Sequence, residues 1–169
     1  QELQDCPQAI KNLRVSGRAE KYRYRSFLKI SQILLQSNKT LEALEFAEKC
    51  LQERPDEWDA LRQYVYVQNA LSNSGIALDT LHERQLVHAD NPELYHLLSD
   101  TSSLMGLTDD VTHYLEQGLG IDRNNKTTLT KLFKCYEGQK KLTEALKVAR
   151  KLLQIAPSDK SSHFRVGFI

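Results

Sequence analysis

Two stretches of the chain repeat one another. Residues 40–55 and 142–157 are identical at eight of sixteen aligned positions and lie 102 residues apart, which is three times 34. In both copies two alanines stand four residues apart and therefore on one helix face. A period of 34 is typical of a helical solenoid, in which stacked helix pairs bury a continuous core. The repeat predicts an all-α fold, an α-solenoid of antiparallel helix pairs.

Apolar spacing divides the chain into about four such pairs. It predicts a first helix over about residues 24–36, and Thr40 is the natural N-cap of a second helix that ends before Pro55. In the second pair, the partner helix is predicted over 76–89. The predicted units are a capping helix or cap over 1–23, repeats over 24–57, 58–92, 93–125 and 126–157, and the start of a further helix over 158–169, which Ser158 would cap.

The boundaries between units are not evenly spaced. Pro55, Pro92, Arg123 and Pro157 mark them, at separations of 37, 31 and 34 residues. A proline disfavours helical geometry in the residue before it, so it is a natural place for one pair to end. We therefore expect the two middle units to deviate in length from the outer ones. Thr108 is the expected N-cap of the second helix in the third pair.

This pattern resembles the tetratricopeptide repeat over roughly residues 24–157. That family places large apolar residues on the first helix of each pair and small ones on the second. The first unit matches at Phe27, Ile30, Leu34, Ala43, Ala47, Cys50 and Pro55, and the fourth at Leu129, Leu132, Tyr136, Ala145, Ala149, Leu152 and Pro157. In the second and third units, Thr80 and Val111 stand where the close-contact alanine is expected. Another two-helix solenoid is the alternative interpretation.

The chain lacks the sequence motifs of catalysis. It has no glycine-rich phosphate loop, no GxSxG and no HExxH, and its three cysteines and five histidines are not spaced as metal ligands. Asp109 and Asp110 stand in the first turn of a predicted helix, where a carboxylate stabilises the helix dipole. We predict that the chain is not an enzyme and has no catalytic residue, cofactor or metal site.

Charge is distributed in blocks, although the formal net charge is only +1. Residues 11–29 carry seven Lys and Arg against one acid, residues 82–122 carry eight acids against one Arg, and residues 123–165 carry eleven Lys and Arg against three acids. An acidic middle would interrupt a basic track for nucleic acid, so nucleic acid is disfavoured as a partner. Tyr22 and Tyr24 nevertheless stand among several cations and could stack on bases.

The resemblance implies a concave groove, lined by the first helix of each pair, that holds a protein or peptide partner. Projection of the outward helix faces predicts the groove residues Arg25, Gln32, Arg62, Tyr66, Asn69, His96, Ser99, Ser103, Thr130 and Lys134. The predicted function is a non-catalytic protein-interaction module or scaffold. The alternatives are a helical-repeat nucleic-acid binder, or a regulatory domain appended to an enzyme whose catalytic part lies outside this sequence.

Cellular location is only weakly indicated. Three widely separated cysteines make no complete disulfide framework, which favours a reducing compartment such as the cytoplasm. The triplets at Asn38 and Asn125 fit N-glycosylation and leave a secretory compartment open. No apolar run approaches the roughly 18 residues of a membrane span. The chain begins with Gln and ends on apolar residues, so we expect a fragment or a processed chain.

Overall fold

The computed structural model describes residues 6–16 and 20–157, with side chains for 7–15 and 22–157. Within these ranges every regular element is an α-helix, which confirms the all-α prediction. The helices are α1 (Cys6–Ser16), α2 (Glu20–Gln36), α3 (Thr40–Glu53), α4 (Trp58–Ala70), α5 (Ser74–Arg84), α6 (Pro92–Leu104), α7 (Thr108–Ile121), α8 (Lys126–Gly138) and α9 (Leu142–Ile155). The helix expected over 158–169 and its cap Ser158 lie outside the described residues.

The chain forms two compact units, Gln1–Val87 and His88–Ile169. In the first unit, α1 packs on α2, α2 on α3, α3 on α4 and α4 on α5, and α2 also contacts α4. In the second unit, α6 packs on α7, α7 on α8 and α8 on α9. Each unit has its own apolar core, which includes Ile30, Leu34 and Phe46 in the first and Leu115, Leu129 and Leu152 in the second.

Buried positions recur every 34 residues without deviation. Four successive units place a buried small or β-branched residue at one such position, Ala43, Ala77, Val111 and Ala145, and a buried residue four positions later, Ala47, Leu81, Leu115 and Ala149. The expectation of uneven middle units is therefore wrong. Its cause is that Pro92 is the first residue of α6, whereas Pro55 follows the end of α3, so the two prolines are not equivalent.

The same register corrects the assignment of Thr80. Ala77, and not Thr80, occupies the buried position in the second unit, and the Thr80 hydroxyl donates to the Ile76 carbonyl oxygen at 2.8 Å. The predicted alanine was therefore present, three residues nearer the start of α5. The division into repeats over 24–57, 58–92, 93–125 and 126–157 stays a prediction. Helix α6 begins at Pro92, one residue before the predicted start of the third repeat.

The turn between the two helices of a pair has the same geometry in all four pairs. Each of these turns contains one residue with a positive φ, and these residues are 34 positions apart: Asn38, Ser72, Gly106 and Lys140. In the first of these turns, the Lys39 amide donates to the Leu34 carbonyl oxygen at 2.9 Å. This is the left-handed closure that commonly ends a helix. The next helix then begins at once, so Thr40 and Thr108 are the first helical residues and not the predicted N-caps.

Two other helices differ from expectation in their bounds. α2 begins at Glu20, four residues before the predicted start, and α5 covers Ser74–Arg84 instead of 76–89. Residues 85–90 form turns in which Leu86 and Val87 are 92% and 56% exposed. Most of the stability of a short helix comes from burial of an apolar face. This stretch buries none of its large apolar side chains, so its apolar composition alone does not extend the helix.

Candidate functional site

Five of the predicted groove residues belong to the first unit, and we call them together the α2/α4 face: Arg25 and Gln32 on α2, and Arg62, Tyr66 and Asn69 on α4. Arg25 and Tyr66 are exposed, and the other three are half-buried. All five predicted residues of this unit therefore reach the surface at least in part.

A buried polar tie lies between the two helices of this face. The Gln63 side-chain amide donates to the Ser31 hydroxyl oxygen at 3.0 Å, and the Ser31 hydroxyl donates to the Ala43 carbonyl oxygen at 2.9 Å. Both Ser31 and Gln63 are buried. A buried polar group that loses its hydrogen-bond partner is costly, so this chain of bonds holds α4, α2 and α3 at fixed spacing.

Tyr66 is the most prominent group of the α2/α4 face. It lies one helical turn from both Arg62 and Asn69, so the three side chains share one surface, and 48% of it is exposed. The Arg62 guanidinium is anchored by Asp59 at 2.6 Å. Tyrosine and arginine, together with tryptophan, are the residue types most enriched at the hot spots of protein interfaces. An exposed tyrosine beside a positioned arginine therefore has the composition of a hot spot.

In the second unit, α6 and α8 form the α6/α8 face: His96, Ser103, Thr130 and Lys134. Ser103 and Lys134 are exposed, and His96 and Thr130 are half-buried. Ser99 is 1% exposed and its hydroxyl donates to the His96 carbonyl oxygen at 3.2 Å. The prediction that Ser99 faces outward is therefore wrong, because the projected face was shifted by one residue at this point.

Asp100 is the residue that the sequence prediction missed. It lies four residues after His96 and so shares its face, and it accepts two hydrogen bonds from the Lys131 ammonium at 2.6 and 2.8 Å. A regular step of four from His96 would have found it. The α6/α8 face therefore carries an ion pair between its two helices.

His96 also joins α6 to α8. Its Nε2 atom lies 2.5 Å from the Thr128 hydroxyl oxygen. Burial, reinforced by the positive charge of Lys131, lowers the pKa of His96 from its ordinary value, against the opposing effect of Asp100, Glu93 and Asp122. The imidazole is therefore neutral at neutral pH, and it serves as a hydrogen-bonding group on this face.

The local sequence and the fold match known proteins. The family model of the tetratricopeptide repeat matches residues 24–57, which contain most of α2 and all of α3. This segment is similar to one tetratricopeptide repeat. No curated protein sequence matches the chain.

Solved structures of tetratricopeptide-repeat proteins share this fold. MamA is similar with a TM-score of 0.75 at 18% identity, over 91% of this chain and 90% of that chain. TTC0263 of Thermus thermophilus, described as a thermophilic repeat protein, gives 0.71 at 18% identity, over 99% and 91%. YrrB, described as having an unusual peptide-binding site, gives 0.63 at 17% identity, over 85% and 74%. At these identities the likeness concerns the fold alone.

The two described thiols are shielded. Cys50 is buried and Cys135 half-buried, and both are free. Burial, helped by the nearby Glu53, raises the pKa of Cys50 to about 12, and burial also raises the pKa of Cys135. The reactive form of cysteine is the thiolate, so these two thiols are poorly suited to nucleophilic chemistry. The side chain of Cys6 lies outside the described residues.

In the part of the chain that the structure describes, no group of three or more His, Cys, Asp or Glu residues is arranged to hold a metal ion. No helix in residues 6–16 or 20–157 combines the length and apolar character needed to cross a membrane.

Proposed function

We propose that this chain is a non-catalytic protein-interaction module of the tetratricopeptide-repeat type, with one peptide-binding surface on each unit, the α2/α4 face of the first and the α6/α8 face of the second. The observation that carries the proposal is the exposed Tyr66 flanked by Arg62 and Asn69, on helices tied together beneath by Gln63 and Ser31. A rigid base lowers the entropy lost when a partner binds, because the contacting groups are already positioned.

The α6/α8 face adds complementary chemistry. It offers a neutral imidazole at His96, hydroxyl groups at Ser103 and Thr130, and the exposed ammonium of Lys134. Such groups can donate to or accept from the backbone of an extended peptide. Each of the two faces is polar and has few apolar anchors, so we expect polar or acidic partner segments, held on the α2/α4 face by hydrogen bonds around the Tyr66 contact.

The fold supports the proposal at a coarser level. Proteins of this fold present the first helices of successive repeats side by side, and one structural neighbour, YrrB, is described as having a peptide-binding site. Transferred to this chain, peptide binding is our inference.

The test is a binding measurement with a peptide selected on the protein itself. A displayed random peptide library yields a ligand for the wild-type chain, and fluorescence anisotropy gives its dissociation constant. We expect the triple variant Arg62→Ala, Tyr66→Ala and Lys134→Ala to bind the peptide more than tenfold more weakly, because loss of single anchors at such positions often costs about 2 kcal/mol. Helical circular dichroism should not change, since all three side chains are at least partly exposed.

A matched control removes the same chemistry elsewhere. The variant Tyr22→Ala, Lys147→Ala and Arg150→Ala deletes one tyrosine, 49% exposed against 48% for Tyr66, and two exposed cations. It should bind the selected peptide with wild-type affinity. Equal binding by the wild type and the Arg62, Tyr66 and Lys134 variant would refute the placement of the binding surface.

A further inference from the structure

The first unit contains a cavity on a different surface. It measures about 470 Å³ and lies between α1, the end of α2 and the start of α3. None of the residues that line it belongs to the α2/α4 face. Cavities of this volume are in the range of small-molecule sites, which run from about 300 to 1,000 Å³.

One side of the cavity is apolar. Pro7 and Ile10 of α1 line it together with Leu34 of α2. Leu34 is fully buried in the core of the first unit, and Ile10 packs against the same core cluster. The apolar surface open to a ligand is therefore that of Pro7 and Ile10, over the core at Leu34, and a hydrocarbon chain placed there would be removed from water.

The rim of the cavity is cationic. Lys11, Arg14 and Lys39 line it, against the single acid Glu42. Glu42 lies 3.9 Å from the Lys39 ammonium, and this ion pair is more than half exposed on both sides. Among the described side chains, no acid lies within ion-pair distance of Lys11 or Arg14, although the Arg14 charge contributes, after Lys49, to lowering the pKa of Glu45. The residues that line the cavity carry three cations against one acid.

Lys11 and Arg14 are also positioned together. They lie three residues apart on α1 and therefore on one helix face. The Arg14 guanidinium stacks over the ring of Phe46, 5.5 Å from its centroid, which fixes α1 against α3 at this point. Two neighbouring cations above an apolar floor match a ligand with an anionic head and a hydrocarbon body.

We propose that this cavity binds a medium-chain fatty acid, with the carboxylate between Lys11 and Arg14 and the hydrocarbon chain against Pro7 and Ile10. The size of the cavity favours a small molecule over a peptide segment, which would need a longer surface. The site is separate from the proposed peptide surface, so either binding activity can be present without the other.

The experiment uses decanoate as the probe at neutral pH, with calorimetry for the affinity and backbone amide shifts for the location. We expect saturable binding of one molecule, with the largest shifts at Ile10, Lys11 and Leu34. Decanol has the same chain without the charge and should bind at least about tenfold more weakly. Lys11→Gln and Arg14→Gln should each weaken decanoate binding about tenfold, since each removes a charge-assisted hydrogen bond.

The control variant is Lys29→Gln, which removes an exposed cation of α2 that does not line the cavity. It should bind decanoate like the wild type. Arg14 also contacts Phe46, so Arg14→Gln could weaken the packing of α1 on α3. If thermal unfolding shows such a loss of stability, the test rests on Lys11→Gln alone. The proposal is overturned if decanol binds as tightly as decanoate, if Lys11→Gln has no effect, or if an acidic peptide occupies the cavity and decanoate does not.

Discussion

Gly118 illustrates how a single residue sets the distance between two helices. A Cβ atom at this position of α7 would lie 3.1 Å from the Tyr95 Cβ atom and 3.8 Å from the Pro92 carbonyl oxygen, both in α6. The residues at the same place in the neighbouring 34-residue registers are Arg84 and Leu152, so only this unit uses glycine there. The close approach of α6 to α7 therefore depends on the missing side chain.

We predict that Gly118→Val destabilises the chain by about 1–3 kcal/mol, because the added atoms overpack the contact with Tyr95. Urea unfolding followed by circular dichroism measures the change. Gly120→Val is the matched control two residues away, where a Cβ would meet nothing within 4 Å. There we expect no loss, since valine has a better helix propensity than glycine. Equal losses in both variants would contradict this explanation.

Residue identity alone did not reveal this contact. The repeat motif drew attention to small residues at alanine positions, and the buried Ala43 and Ala145 confirm that reasoning. A glycine inside a helix pattern indicates only a local cost of about 1 kcal/mol. Its benefit depends on the facing residue Tyr95, which is 23 positions away and is identified only by the packed structure.

Between elements, the buried bond from Gln63 to Ser31 is the clearest tie in the first unit. Ser31→Ala would leave the Gln63 amide without this partner and should cost about 1–3 kcal/mol. Gln63→Leu together with Ser31→Ala removes both polar groups and keeps a side chain of similar size, so the double variant should recover much of the loss. A double-mutant cycle from urea unfolding checks this.

The double-mutant cycle can also contradict this prediction. If the losses of the two single variants add in the double variant, the bond between Ser31 and Gln63 contributes nothing beyond the separate packing of each residue. Exposed Gln52 of α3 provides a control, because Gln52→Leu changes the same side chain type on the surface and should leave stability nearly unchanged.

The order and approximate extent of the helices in residues 20–157 could be predicted from the 34-residue period and apolar spacing. The exact ends could not. The helix α5 stops at Arg84 although Leu86 and Val87 continue an apolar pattern, because periodicity does not report whether a partner covers the face. The predicted groove residues reach the surface at least in part where the register was regular, and the single slip at Ser99 and Asp100 shows how one residue decides between core and surface.

Over the described part of the molecule, several positive side chains lie next to acids that are distant in the sequence, so the charge is less segregated in space than the sequence blocks indicate. Exposed or half-exposed ion pairs join Arg23 to Glu53, Arg84 to Asp56 and Lys131 to Asp100, at separations of 28 to 31 residues along the chain. Such pairs stabilise little, yet each cancels a positive charge that a nucleic-acid backbone would need. Pairing of this kind cannot be found by counting charges along the sequence.

Tyr24, one of the two tyrosines considered for base stacking, is less accessible to a base than expected. The Arg54 guanidinium lies over the Tyr24 ring, 4.8 Å from its centroid, and burial together with the nearby Glu57 and Asp59 raises the pKa of Tyr24 to about 12. One ring face is therefore covered within the chain itself. Tyr22 is exposed, while Arg18 and the side chain of Lys21 lie outside the described residues.

We therefore expect weak, sequence-independent retention of single-stranded RNA in a filter-binding titration at about 50 mM salt and none at about 200 mM, since the ion pairs of Arg23, Arg84 and Lys131 leave fewer cations to contact the RNA backbone and release counterions. The Tyr22→Ala variant should give the same titration curve as the wild type, because stacking contributes nothing to non-specific contact with the RNA backbone. Retention that persists at about 200 mM salt and falls on Tyr22→Ala would identify a stacking RNA surface and make nucleic-acid binding the better function.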